Sequence, residues 1–142
     1  MHMISSTLRS KTRTISIDAT PDAVLNVVAD PYRLPSWAPN FARAVRPAGD
    51  DWLIQSVGAE ALITVRVSRD QGTLDLLAAR DHRRGAFSRV LPNGDGSEYI
   101  FTLFFSRGTE ETAIAAQMAI VDVELQTVRS LSENPNSSNH AG

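Results

Sequence analysis

Ala19-Thr20-Pro21-Asp22-Ala23-Val24, running on to Ala29-Asp30-Pro31-Tyr32-Arg33-Leu34-Pro35-Ser36-Trp37, is the stretch on which the fold turns. Thr20 suits a helix N-cap, where its hydroxyl accepts from a first-turn amide. Pro21 suits the first helical position, because the N–H it lacks has no partner there anyway. Asp22 places a negative charge at the positive end of the helix dipole. Pro31 drives Asp30 out of helical geometry, so this helix is expected to span 21–29. It presents Val24, Leu25 and Val28 on one side. A Pro-punctuated elbow follows and delivers Tyr32 and Trp37, and a second, shorter helical turn is expected over Ser36 to Phe41.

Working outward, Thr12 to Ile17 alternates, with Arg13, Ile15 and Ile17 opposite Thr12, Thr14 and Ser16, which reads as a first strand. From Arg43 the chain reads as antiparallel strands over 51–57, 59–69, 73–79, 86–91 and 97–105, after a short one ending near Gly49. Turn chemistry separates them at Gly49-Asp50, Gly58, Asp70-Gln71-Gly72, Arg84-Gly85 and Asn93-Gly94-Asp95-Gly96. In 59–69, Ala61, Ile63, Val65 and Val67 alternate with Leu62, Thr64, Arg66 and Ser68, so one face is buried and the other mostly wet. Residues 110–132 contain neither Gly nor Pro and carry Ile114, Met118, Val121, Leu125 and Val128 at helical spacing. The order is strand, two short helices, six strands, one long helix. A one-sided helix of that length has to bury its stripe against the sheet. A sheet of seven twisted strands curls, and a helix across its concave face leaves room for a cavity.

Composition narrows the functional classes. The 142 residues suit one domain, expected over 12–132 with flexible termini at 1–11 and 133–142. There is no cysteine, which removes disulfides, thiolate catalysis and sulfur-ligated zinc. A net charge of −2 gives no reason to expect nucleic acid as a partner. No stretch approaches the length of apolar chain that spans a bilayer, and the N-terminus lacks a signal-peptide core, so a cytoplasmic location is expected. No histidine or carboxylate spacing suggests a metal site, and no cofactor is expected.

The "I-D-A-T-P-D-A-V" opening, the "A-D-P-Y-R-L-P-S-W" elbow, the "N-G-D-G-S-E-Y-I-F-T" strand opening and the terminal amphipathic helix together resemble the START-like, or helix-grip, superfamily. Within it they are similar to the polyketide cyclase/dehydrase and lipid-transport group. The resemblance implies an α+β fold, with a curved seven-stranded antiparallel sheet wrapped around a long C-terminal helix and two short helices after the first strand. It also implies a hydrophobic cavity between sheet and helix. It transfers no catalytic residue, and fold alone does not decide function.

The candidate ligand contacts are Tyr32, Trp37, Phe41, Trp52, Tyr99, Phe101, Met118 and Val121. The aromatic side chains among them read equally as packing groups. In the last strand either face, Tyr99-Phe101-Leu103-Phe105 or Ile100-Thr102-Phe104, could line the cavity. Gln117 is the amide beside the helix stripe, read as a ligand anchor or as a solvent-exposed group. Three weak catalytic candidates emerge. Asp75 interrupts an apolar strand, although alternation puts it on the wet face. His82, within Arg80-Asp81-His82-Arg83-Arg84-Gly85, reads best as part of a solvated charged loop, and that cluster is a weak anion site at most. Tyr99 is the third, while Glu98 and Arg66 share the ambiguity of Asp75. The resulting expectation is a binding or carrier protein for a small hydrophobic or aromatic molecule, with a cavity of a few hundred Å³ or more. The alternatives are a cofactor-independent polyketide cyclase or dehydratase and a protein-interaction module. Oligomeric state is left open, with a homodimer among the options.

Overall fold

The computed structural model describes residues 7–135. Its elements are β1 (Arg9–Ile17), α1 (Pro21–Val28), a 3₁₀ turn (Pro31–Arg33), α2 (Leu34–Trp37), β2 (Ala44–Ala48), β3 (Asp51–Ser56), β4 (Ala59–Ser68), β5 (Thr73–Ala78), β6 (Asp81–Asn93), β7 (Gly96–Phe105) and α3 (Glu111–Glu133). The strands form one sheet in the order β1-β7-β6-β5-β4-β3-β2. All neighbouring pairs are antiparallel, so β2 to β7 meander and β1 closes the far edge beside β7. The helix-grip arrangement expected from the sequence is therefore the one observed.

The first helix starts and stops for the reasons its sequence supplies. Thr20 Oγ1 accepts from the Ala23 N–H at 3.3 Å, and Ala29 is the C-cap. The next helical segment differs from expectation, covering Pro31–Trp37 in two short turns instead of Ser36–Phe41. Asp30 caps the first turn, its carboxylate accepting from the Tyr32 N–H at 3.0 Å, and Pro31 and Pro35 sit where a helix tolerates them. Pro39 then expels Ala38 from helical geometry (φ −132°, ψ 58°), which ends α2 at Trp37.

Two strand boundaries also differ. β1 begins at Arg9, three residues before the alternation at Thr12, because Arg9, Ser10 and Lys11 pair with Phe105, Phe104 and Leu103. β6 runs unbroken from Asp81, so Arg84-Gly85 is no turn and His82 lies in a strand. The chain reverses at Ala79-Arg80 instead, and the β5–β6 register slips between Leu77 and Ala78, opposite Gly85. Gly85 has φ +153°, and a Cβ there would lie 2.2 Å from the Leu76 carbonyl oxygen. This is a β-bulge, and only glycine permits so close a backbone approach. The remaining expectations for the termini fall on residues 1–6 and 136–142, which lie outside the described residues.

Register sorts the two faces. Ile15 and Ile17 of β1, Tyr99 and Phe101 of β7, Ser88 and Val90 of β6, Leu74 and Leu76 of β5, and Ile63 of β4 share the concave face. The stripe Ile114, Met118, Val121, Leu125 and Val128 is wholly buried against that side, as its spacing predicts. α3 packs on β1, α1 and α2. Arg9 pairs with Glu111, Arg13 Nε reaches Asp122 at 3.1 Å, and the Asp18 N–H donates to Glu133 at 2.8 Å. These exposed pairs fix direction more than they add stability. α1 also contacts β6 and β7, filling one end of the concave face. At the opposite edge, β2 is short, mostly exposed, and contains Pro47.

The bulge yields a prediction about stability. Gly85→Ala puts a methyl into the Leu76 carbonyl and is expected to cost about 2–4 kcal/mol in denaturant unfolding. A cost below about 0.5 kcal/mol would mean that the β5–β6 ladder does not depend on this approach.

Candidate functional site

A pocket of about 360 Å³ lies between the concave sheet face and the helices. Its floor is made by residues of β4 (Ala61, Leu62, Ile63), β5 (Leu76, Leu77, Ala78) and β6 (Arg84, Gly85, Ala86). Phe101 and Leu103 of β7 form one wall, Gln117, Val121 and Glu124 of α3 the roof, and Trp37, Ala38 and Phe41 one end. The space follows from side-chain size. Ala61, Ala78, Gly85 and Ala86 sit where large residues would fill the gap between strands and helix. Volume and lining fit the range of small-molecule sites, which are mostly apolar with a few placed polar groups.

The polar groups that meet this space are few. Gln117 and Arg84 are both exposed residues on its lining, at the boundary with solvent. Glu124 is different, being only 8% exposed and held among apolar side chains. Among the described residues its carboxylate has no hydrogen-bond or ion-pair partner. Burial disfavours the charged form and pushes its pKa up to about 7. Asp122, two residues earlier and so on another side of the helix, shows the contrast, since it is solvent-exposed and paired with Arg13. Two other polar atoms nearby are sealed in protein. Among the described residues Trp37 Nε1 is buried without a hydrogen-bond partner; the Tyr99 hydroxyl is buried too, and burial raises its pKa, with the Ser88 hydroxyl opposing the shift and the Glu124 charge adding to it.

The residues singled out from sequence separate into groups. Trp37, Phe41, Phe101 and Val121 meet at the pocket. Trp37 is 2% exposed and so lies inside, whereas Phe41 is partly exposed at the mouth. Tyr99 and Met118 are buried in the core beside the pocket and do not line it. Tyr32 and Trp52 lie outside it and contact each other edge to face, with ring centroids 5.0 Å apart. The Tyr32 side chain is 60% exposed, because the 3₁₀ turn carries it to the protein surface. The inward face of β7 is the Tyr99-Phe101-Leu103 face; Phe104 projects outward against Phe87.

Asp75 and His82 both fall on the other side of the sheet. Asp75 Oδ2 accepts from Arg66 Nε and Nη2 at 3.2 and 3.0 Å, a cross-strand pair fixed by register. His82 Nε2 lies 3.0 Å from Thr64 Oγ1, whose hydroxyl donates to Asp51 at 2.8 Å. With the Thr64 proton directed to Asp51, His82 is the donor in that contact. Glu98 accepts from Ser16 and Thr14 at 2.6 and 2.5 Å, which lowers its pKa and holds it ionised. Asp81 is likewise held ionised by the side chain and backbone N–H of Arg83. None of these groups reaches the pocket.

Glu124 escaped the sequence reading. Its signal was present in the spacing, since Val121, Glu124, Leu125 and Val128 follow the i, i+3, i+4, i+7 rule of one helix face. A stripe read only through its apolar members passes over a carboxylate set among them. A larger depression of about 550 Å³, involving Asp18, Asp95, Arg129 and Glu133, lies near the C-terminal end of α3. It is open, lined by charged and small residues, and has no aromatic lining. Among the described residues no cluster of three His, Asp or Glu side chains suits a metal ion. No helix among them is long and apolar enough to cross a membrane.

An antiparallel sheet gripping a long terminal helix, with an apolar pocket between them, defines the helix-grip class. The chain belongs to the polyketide cyclase/dehydrase and lipid transport family, whose model matches residues 9–133. Among solved structures it is similar to an uncharacterized protein from Bacillus thuringiensis, with TM-score 0.69, 13% identity, and coverage of 87% of this chain and 98% of that one. It is similar also to the Aha1 dimer from Colwellia psychrerythraea (TM-score 0.69, 13% identity, 89% and 97% coverage). A third is XoxI from Bacillus cereus (TM-score 0.69, 14% identity, 87% and 94% coverage). At these identities the likeness establishes the fold. No curated protein matched the chain.

The buried carboxyl of Glu124 leads to a pH prediction. Its folded pKa of about 7 lies above the ordinary value of 4.5, so the folded state holds the proton more tightly. Between those values stability therefore falls as pH rises, and above them the full cost of a buried charge is present. Glu124→Gln is expected to remove this slope, so that between pH 4.5 and pH 8 the variant gains about 1–3 kcal/mol of stability relative to the parent. Parallel slopes for parent and variant in urea unfolding from pH 4.5 to 8 would contradict it.

Proposed function

We propose that this protein binds a small hydrophobic or aromatic molecule in the pocket between α3 and the sheet. The observation that carries the reading is the combination of an apolar space of about 360 Å³ with Trp37, Phe41 and Phe101 on its lining. Transferring an aromatic ligand from water to such walls is favourable by roughly 25 cal/mol for each Å² of apolar surface buried. Trp37 offers a large flat contact whose rotamer is already fixed by burial, so little entropy is lost on binding. Family membership supports the same reading, since lipid transport is one activity in its description. A carrier or sensor in the cytoplasm is the role we assign.

A second reading, proton transfer on a bound polyketide-like substrate, rests on Glu124. Asp75 and His82 are outside the pocket and the Tyr99 hydroxyl is sealed. Glu124 alone combines access to the lining with a pKa near neutrality, as a general acid or base requires.

Neutral N-phenyl-1-naphthylamine is a suitable first probe. In a Trp52→Phe background, Trp37 is the remaining tryptophan and reports occupancy by energy transfer. Saturable binding of one probe per chain is expected, lost in Ala86→Phe, whose added ring occupies the pocket. Trp37→Ala is expected to weaken binding of the same probe, read by its own fluorescence, by about 1–3 kcal/mol. Both variants are to be compared at matched far-UV circular dichroism. Binding that is absent in the parent, or unchanged in folded Ala86→Phe, would sink the proposal.

A further inference from the structure

The pocket has apolar walls, three aromatic side chains on its lining, and one buried carboxyl without a partner among the described residues. Such a group adds nothing to a purely hydrophobic container, because an unpaired buried carboxylate costs several kcal/mol that Leu would avoid. The group is also not locked into the scaffold, since among the described residues no arginine, lysine or backbone N–H holds it.

We infer that Glu124 is the ligand anchor of this pocket and that the molecule it selects is a hydrophobic cation, an aromatic or alkyl amine. Its ammonium pairs with the Glu124 carboxylate, and its apolar body lies among Trp37, Phe41 and Phe101. The inference rests on the binding reading above and adds the chemical class of the ligand. Three arguments favour a cation. An anionic ligand would meet the Glu124 charge in a space that screens it poorly. A neutral acceptor would have to keep Glu124 protonated and would gain one ordinary hydrogen bond. An ammonium satisfies the ionised carboxylate, removing the cost of its burial, and is further attracted to aromatic ring faces.

The surrounding charges do not pre-empt this pairing. Across from α3, β6 contributes Arg84, whose side chain is exposed at the boundary and makes no ion pair with Glu124. β7 contributes Tyr99, a neutral phenol held protonated by burial. On the same sheet face, β1 carries Arg9 and Arg13, which are engaged by Glu111 and Asp122, and the half-buried Lys11. α2 contributes Trp37 and no charged side chain. Among the described residues Glu124 is thus the negative group on the pocket lining.

The test uses three probes of one shape: 2-naphthylmethylamine, 2-naphthalenemethanol and 2-naphthoic acid. Each is titrated calorimetrically into the full chain and into Glu124→Gln at pH 8. The parent is expected to bind the amine about 10- to 100-fold more tightly than the alcohol, and the acid most weakly. Glu124→Gln should bring the amine level with the alcohol while changing alcohol affinity by less than about threefold. At pH 6 amine binding should release a proton, seen as a heat that varies with the ionisation enthalpy of the buffer, and Glu124→Gln should abolish that variation. Equal binding of amine and alcohol by the parent, or equal weakening of all three by Glu124→Gln, overturns the inference and leaves the pocket reading standing. Failure of all three probes to bind overturns both.

Discussion

The long helix can meet only part of the sheet it covers, and the pocket exists because of that mismatch. α3 presents one stripe from Ile114 to Val128, whereas the face it lies against extends over seven strands. At the β1 edge the helix is held by packing, by Arg9 and Arg13, and by the tie between Asp18 and Glu133. α1 occupies the space beside β6 and β7 at one end. Over β4, β5 and the start of β6 nothing large intervenes, and the small residues there keep the floor low. Burial of the stripe and persistence of the gap thus come from the same geometry.

Into that gap the sequence places one group that ordinary core packing disfavours. The neighbouring stripe positions are Ile, Met, Val and Leu, so a further aliphatic side chain at 124 would have been sterically ordinary. The carboxyl instead sits in a poorly solvating environment, and its proton affinity records that environment directly. Three acids outside the pocket are held differently. Asp75, Asp81 and Glu98 each have compensating donors, and each belongs to the scaffold rather than to the pocket.

Much of this architecture was legible in the chain because its signals are local. The Thr20 cap, the helix end before Pro31, the alternation in β4 and the α3 stripe each depend on a few consecutive residues. The misreadings share a different cause. Arg84-Gly85 resembles a turn, and only pairing with Leu76 and Leu77 reveals a bulge. The Ser36–Phe41 turn was displaced because Pro31 and Pro35 could each start a helix earlier. At the site, Trp37, Phe41, Phe101 and Val121 could be picked out as candidates, while Tyr32 and Trp52 could not be separated from them. Whether an aromatic faces a cavity or a neighbouring ring depends on how distant segments are arranged. The alanines that make the space carried no signal at all, since a small side chain is informative only beside the groups it fails to reach.

The outer edge of the sheet has a bearing on association. β2 offers five residues at a free edge, and Pro47 among them has no N–H to donate. An incoming strand would find an interrupted ladder, which disfavours growth of the sheet from one molecule into the next. At the other edge, β1 carries Arg9 and Arg13 on its inner side, where Glu111 and Asp122 of α3 pair with them. An open sheet, unlike a closed barrel, leaves edges to be guarded, and at β2 the proline does so.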